Sequence, residues 1–152
     1  MVQTTVEARQ QILVAVGEAT DRIGFALASL GAAYEQLDQN RADQLEEALF
    51  RPVQLAYGRG RRAHSEFAAR HGLPSRAFES RSAGLPSTGA PAFIERAVVA
   101  IGQADATLAE LQDSLLPIEA GDAELRAALA QLRELIGGLP LRARELTRTI
   151  GR

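Results

Sequence analysis

From Ile12 to Leu37, apolar side chains return at steps of three and four: Ile12, Val16, Ala19, Ile23, Leu27, Leu30, Tyr34 and Leu37. That period draws one stripe along one helix, and Glu7, Glu18 and Arg22 fall on the opposite side. A strand alternates with period two, so no sheet accommodates this repeat. Composition extends the constraint to the rest of the chain. It holds 28 Ala and 20 Leu against 7 Val and 7 Ile, and Ala and Leu favour helix where β-branched residues favour strand. The fold class expected is all-α.

The first helix is expected over about 5–38, started by Thr4 or Thr5 with Glu7 close behind. Asp38-Gln39-Asn40 reads as a turn, with Asn40 or Asp43 as the next cap. A second helix then runs to about His71, interrupted by Pro52, Gly58 and Gly60, so a kink is expected there. The apolar phase nearly continues across Asn40, which leaves open a first turn near residue 51 instead. Residues 72–91 hold three of the chain's six prolines and form an irregular linker. A third helix is expected over about 92–116 and a fourth from an Asp122 cap through Ile136. Gly137, Gly138 and Pro140 should bend the chain before a last helical stretch from Leu141 to Ile150.

A length of 152 residues fits a single domain, 1–152, with a core that needs no staple. Four amphipathic segments pack best as a four-helix bundle. The linker is long enough for a hairpin or for a crossover along the bundle, since 20 residues reach about 66 Å. Net charge by block is −5 over residues 1–50, +5 over 51–81, −5 over 82–138 and +3 over 139–152. An up-down path would gather Arg59, Arg61, Arg62, Arg70, Arg142, Arg144 and Arg148 at one pole. Asp38, Asp43, Glu119 and Asp122 would collect with other acids at the opposite pole, as helix dipoles prefer. The expectation is an antiparallel up-down four-helix bundle with kinked second and fourth helices.

The missing residue types narrow the chemistry. Without Cys there is no disulfide framework, Cys-ligated zinc, iron–sulfur cluster or thiol catalysis. All 17 basic residues are Arg, so a Schiff-base or P-loop Lys is excluded. Aromatics are 5% of the chain, too few for a base-stacking platform, which disfavours nucleic acid as a partner. The run Ile12 to Val16 is too short for a signal sequence and no stretch approaches ~20 apolar residues, so a cytoplasmic location without a membrane span is expected.

The stretch from Tyr57 to His71 is the busiest. Arg59, Arg61, Arg62, His64, Arg70 and His71 could bind a small anionic ligand, because guanidinium forks suit phosphate or carboxylate. Against this, a hairpin turning near residue 40 brings 62 opposite 18 and 59 opposite 21, so Glu18 and Asp21 could neutralise the arginines. Ala63-His64-Ser65 with Gly72 resembles the histidine phosphotransfer motif over about ten residues, which implies a phosphorelay role for His64. Phe67 stands where that motif has a basic residue and Ala68 where it has Gly. A ferritin-like metal site would need Glu-x-x-His, but Arg61 and Ala68 occupy the positions three before the two His. Glu18-x-x-Asp21 and Asp43-x-x-Glu46 are similar to the carboxylate set of all-α pyrophosphohydrolases, yet the hairpin separates them by roughly 30 Å. No metal or other cofactor is expected.

Gly17, Gly24 and Gly31 repeat every seven residues beside the core stripe. Glycine inside a helix costs about 1 kcal/mol against Ala, so the series suggests a seam where another helix comes close. That helix could belong to the same chain or to a second copy. Val14 and Phe25, apolar on the charged face, favour a homodimer contact formed by Val14, Gly17, Gly24, Phe25 and Gly31. No nucleophile–base pair is evident. The function expected is a non-enzymatic helical interaction or scaffold protein. Anionic-ligand binding at the Arg-rich pole is the alternative.

Overall fold

Thr4 sets the start of the first helix. Its backbone is extended, and its hydroxyl accepts from the Glu7 amide at 3.1 Å, satisfying one of the free N–H groups of α1 (Thr5–Glu35). The structure, a computed structural model, describes residues 4–84 and 89–150. Among these the chain is all-helical, with no strand. Asp38, rather than Asn40 or Asp43, caps α2 (Gln39–Leu45): its carboxylate accepts from the Arg41 amide at 2.9 Å. The first turn therefore lies at 36–38, not near 51.

Helical backbone then runs on to Arg70. Pro52 has no N–H to give, and its ring crowds the carbonyl of Ala48. The chain answers with a π-helical turn over Glu46–Phe50, closed by the Arg51 amide donating to Glu46 O five residues back, and α3 (Arg51–Arg70) continues. Gly72 ends it. At φ +65° it takes the left-handed conformation, so that the Leu73 amide reaches Ala68 O at 2.8 Å and the Gly72 amide reaches Ala69 O at 3.3 Å. Residues 73–84 form no helix, and further along come α4 (Ala90–Asp113), α5 (Leu116–Glu119), α6 (Ala123–Gly137) and α7 (Leu139–Ile150).

α1 packs most extensively on α4 and next on α3, α6 packs on both α3 and α4, and α7 extends along α4. Both members of the α1–α4 pair carry buried alanines at seven-residue spacing: Ala19, Ala26 and Ala33, and Ala90, Ala97 and Ala104. Small side chains let two helices approach closely along their length. Phe67, Phe93, Ile12, Ile23, Leu30 and Leu108 are among the largest fully buried side chains.

The path differs from the up-down expectation. Arg9 at the start of α1 donates to Ala120 O at 3.0 Å, and Arg70 at the end of α3 binds Asp122 at the start of α6. The start of α1, the end of α3 and the start of α6 thus share one pole. The C-terminal half of α4 lines a groove with the N-terminal half of α1, so α4 runs parallel to α3. The linker must then travel the length of the molecule, and the charge segregation of an up-down path does not form. Acid meets base between neighbours instead, where the Asp122 cap faces the basic end of α3.

Candidate functional site

The linker after Gly72 is tied down. Arg76 donates from Nη2 to Asp21 at 2.6 Å and to Gly17 O at 3.1 Å, and its guanidinium lies 4.1 Å from the centre of the Phe78 ring. Arg81 reaches the other Asp21 oxygen at 3.1 Å. Arg96 of α4 donates to Ala83 O at 3.2 Å. These contacts make 73–84 a strap across α1 and α3.

Under the strap lies His64. It is 4% exposed, its ring stands edge-on to Phe78 with centroids 5.3 Å apart, and its Nδ1 is buried without a hydrogen-bond partner among the described residues. A phosphodonor cannot reach an imidazole held this way, so the phosphorelay role is not supported by its position. Burial, then the Arg76 cation, hold the His64 pKa below its ordinary 6.5, and Asp21 opposes them more weakly. The unfolded chain therefore binds that proton more readily than the folded one. His64's contribution to stability is complete above about pH 6.5 and is lost as pH falls below it. Denaturant midpoints measured from pH 7.5 downward should show this slope. His64→Leu should flatten it and raise stability by about 1 kcal/mol, because an orphaned buried polar atom is removed.

The other residues singled out from the sequence do not converge. Arg70 and His71 turn to Asp122: Arg70 Nε and Nη2 bind its two oxygens at 2.8 and 3.0 Å, and His71 Nε2–H donates at 2.8 Å. Asp122 also caps α6, accepting from the Leu125 amide at 2.7 Å. This is a lock between two helix ends, and it takes Arg70 and His71 out of any anion site. Arg59 faces α6 and donates to Gln131 at 2.9 Å. Arg61 lies over the Tyr57 ring, 5.2 Å from its centre. Arg61 and Arg62 flank a shallow groove with Gly58, Ser65, Arg76 and Phe78. The expected pairing of these arginines with Glu18 and Asp21 does not occur, because Asp21 is taken by Arg76 and Arg81.

The glycine series is covered from within the chain. A Cβ on Gly17 would lie 3.0 Å from Arg76 Nη2, one on Gly24 2.8 Å from Tyr57 Cε1, and one on Gly31 3.9 Å from Phe50 Cε2. Gly17 faces the strap, Gly24 faces α3, and Gly31, half-buried, lies near Phe50 of the same chain. Val14 is 58% exposed and lines the groove between α1 and the end of α4, and Phe25 is half-buried further along the same pair.

Neither Arg76 nor Phe78 belongs to a motif in the sequence. The available signal was an aromatic ring in a stretch otherwise small or polar, since such a ring must find cover. Among the described residues no three His, Asp or Glu are placed to hold a metal ion, and no helix is long and apolar enough to cross a membrane. No family model, curated protein sequence or solved structure matches this chain.

Proposed function

We propose that the protein is a non-enzymatic interaction or scaffold protein of the cytoplasm, a four-helix bundle whose second and fourth arms bend at Glu46–Phe50 and at Gly138. The observation that carries the reading is a group of four exposed apolar side chains at one pole, while Leu55, Val99 and Leu141 are exposed singly elsewhere. Val6 and Val14 on α1 are 53% and 58% exposed, and Leu115 and Ile118, at the α5 that packs against α1, are 63% and 70% exposed. Apolar groups gathered at one end of a small protein mark a docking surface more often than isolated ones do. A groove of about 580 Å³ opens beside them, with Leu111 and Leu116 in its wall and Glu7, Glu18 and Glu110 on its rim.

The occupant proposed is a second copy of the chain, in a homodimer centred on Val14 and Ile118. Like charges on the rim oppose that contact, so added salt should tighten the dimer by screening them while leaving apolar burial intact. Light scattering over a concentration series is expected to show a dimeric mass that strengthens with salt and is lost in Val14→Asp/Ile118→Asp. A monomeric mass at the highest concentration and salt would overturn the homodimer.

A further inference from the structure

We infer that the groove between α3 and the strap is an oxyanion site for a phosphate group, carried by a free phosphate or by a small phosphate ester. The groove is open to solvent and spans about 370 Å³, and its lining is Gly58, Arg61, Arg62, Ser65, Arg76 and Phe78. Three arginines and one serine line it and, among the described residues, no Asp or Glu does; Arg76 is held in place there by Asp21, Gly17 O and Ala77 O. Arg61 and Arg62 make no ion pair among the described residues, and Arg76 shares the single Asp21 carboxylate with Arg81. Positive charge is therefore left in excess where two elements meet. Planar forks with several N–H donors suit the tetrahedral oxygens of a phosphate, and a dianion answers the excess better than a carboxylate does.

Gly58 supplies an independent observation. A glycine inside a helix needs a reason, because Ala would stabilise the helix. For Gly60 the reason is packing, since a Cβ there would lie 2.5 Å from Thr20 Oγ1. For Gly58, as for Gly102 of α4 and Gly137 of α6, no atom lies within 4 Å of the place a Cβ would occupy, so packing does not require it; of these three only Gly58 lines this groove. Gly58 itself lines the groove, so a side chain at this position would occupy part of it. The space exceeds a bare phosphate and accommodates an attached organic group.

Binding here would join Arg61 and Arg62 of the helix to Arg76 of the strap through one ligand. Amide chemical shifts should therefore respond at Arg61, Arg62, Ser65 and 76–78 when the full chain is titrated with inorganic phosphate and, separately, with AMP. Saturation by phosphate with no gain for AMP identifies a free-phosphate site, and tighter AMP identifies an ester site. Arg61→Gln/Arg62→Gln should weaken either probe by on the order of tenfold per arginine. Gly58→Glu is the second variant: its side chain has room, it should melt no lower than the parent, and it should abolish the response by placing a carboxylate in the groove. No saturable shift with either probe at millimolar concentration would overturn the inference, as would undiminished binding by both variants.

Discussion

Asp122→Ala is expected to lower the stability of the protein by about 2–3 kcal/mol, the largest loss from any single polar side chain here. One carboxylate does two jobs at the pole where α1, α3 and α6 meet. It caps α6 through the Leu125 amide, a role whose loss costs about 1 kcal/mol. It also holds Arg70 by two hydrogen bonds and His71 by a third. Charge-assisted bonds of this kind contribute about 1.5–3 kcal/mol, reduced here because Arg70 is 31% exposed and partly screened. Asp122→Asn separates the two jobs. Asn caps a helix as well as Asp does, so only the ionic share should go, about 1–2 kcal/mol. The acid limb gives a second readout. Burial alone would raise the Asp122 pKa, but the Arg70 hydrogen bond, the Leu125 amide and His71 outweigh it and hold the carboxyl well below its ordinary 3.8. The folded chain resists protonating this group more than the unfolded chain does. Its contribution is full above about pH 4 and is lost as pH falls further. Chemical denaturation from pH 7 down to pH 3 should show a steeper acid loss in the parent than in Asp122→Asn. Equal slopes would assign the acid sensitivity elsewhere.

The register of the hairpin between the first two helices was legible in the sequence, although the turn lies at 36–38 with Asp38 as cap and the sequence also allowed a turn near 51. A turn near 40 sets facing positions that sum to about 80, and the structure pairs Thr20 with Gly60, Gly24 with Tyr57 and Gly31 with Phe50. Register fixes height along a helix, not which face meets which. Arg59 and Arg62 therefore stand at the right height for Asp21 and Glu18 but point elsewhere, and the strap delivers Arg76 and Arg81 to Asp21 instead. The Asp122 cap was legible too, because capping is local. Its grip on Arg70 and His71 was not. That depends on which way the linker travels, and residues 72–91 permit either path by length alone. Pooling charges by pole favoured the hairpin path. The observed path follows a shorter-ranged rule in which the acidic start of one helix lies against the basic end of its neighbour. In the sequence the candidate anion residues form one cluster because they are close along the chain. On a helix, positions 59, 61, 62, 64 and 70 point around the full circle, so the α6 neighbour, the strap and the core each claim different members.

Two glycines separated by a single residue, Gly58 and Gly60, should respond in opposite directions to the same substitution. Gly58→Ala is expected to stabilise the protein by up to about 1 kcal/mol, the gain in helix propensity, because nothing stands within 4 Å of the new methyl. Gly60→Ala receives the same gain and should still lose about 1–2 kcal/mol net, because overpacking a buried site costs more. Its methyl would meet Thr20 Oγ1 at 2.5 Å, Cγ2 at 3.2 Å and Cβ at 3.3 Å, so rotating the Thr20 side chain does not clear the site. Thr20 is 1% exposed and its hydroxyl already donates to Val16 O at 2.8 Å, which fixes it further. The clash is therefore between two named side chains, and a double-mutant cycle isolates it. In a Thr20→Ala background Oγ1 and Cγ2 are gone, only the Cβ contact at 3.3 Å remains, and Val16 O keeps its place in the helix. Gly60→Ala should there become neutral or stabilising, as at Gly58. A loss that persists unchanged in that background would mean that the two helix backbones, not Thr20, set the spacing between α1 and α3.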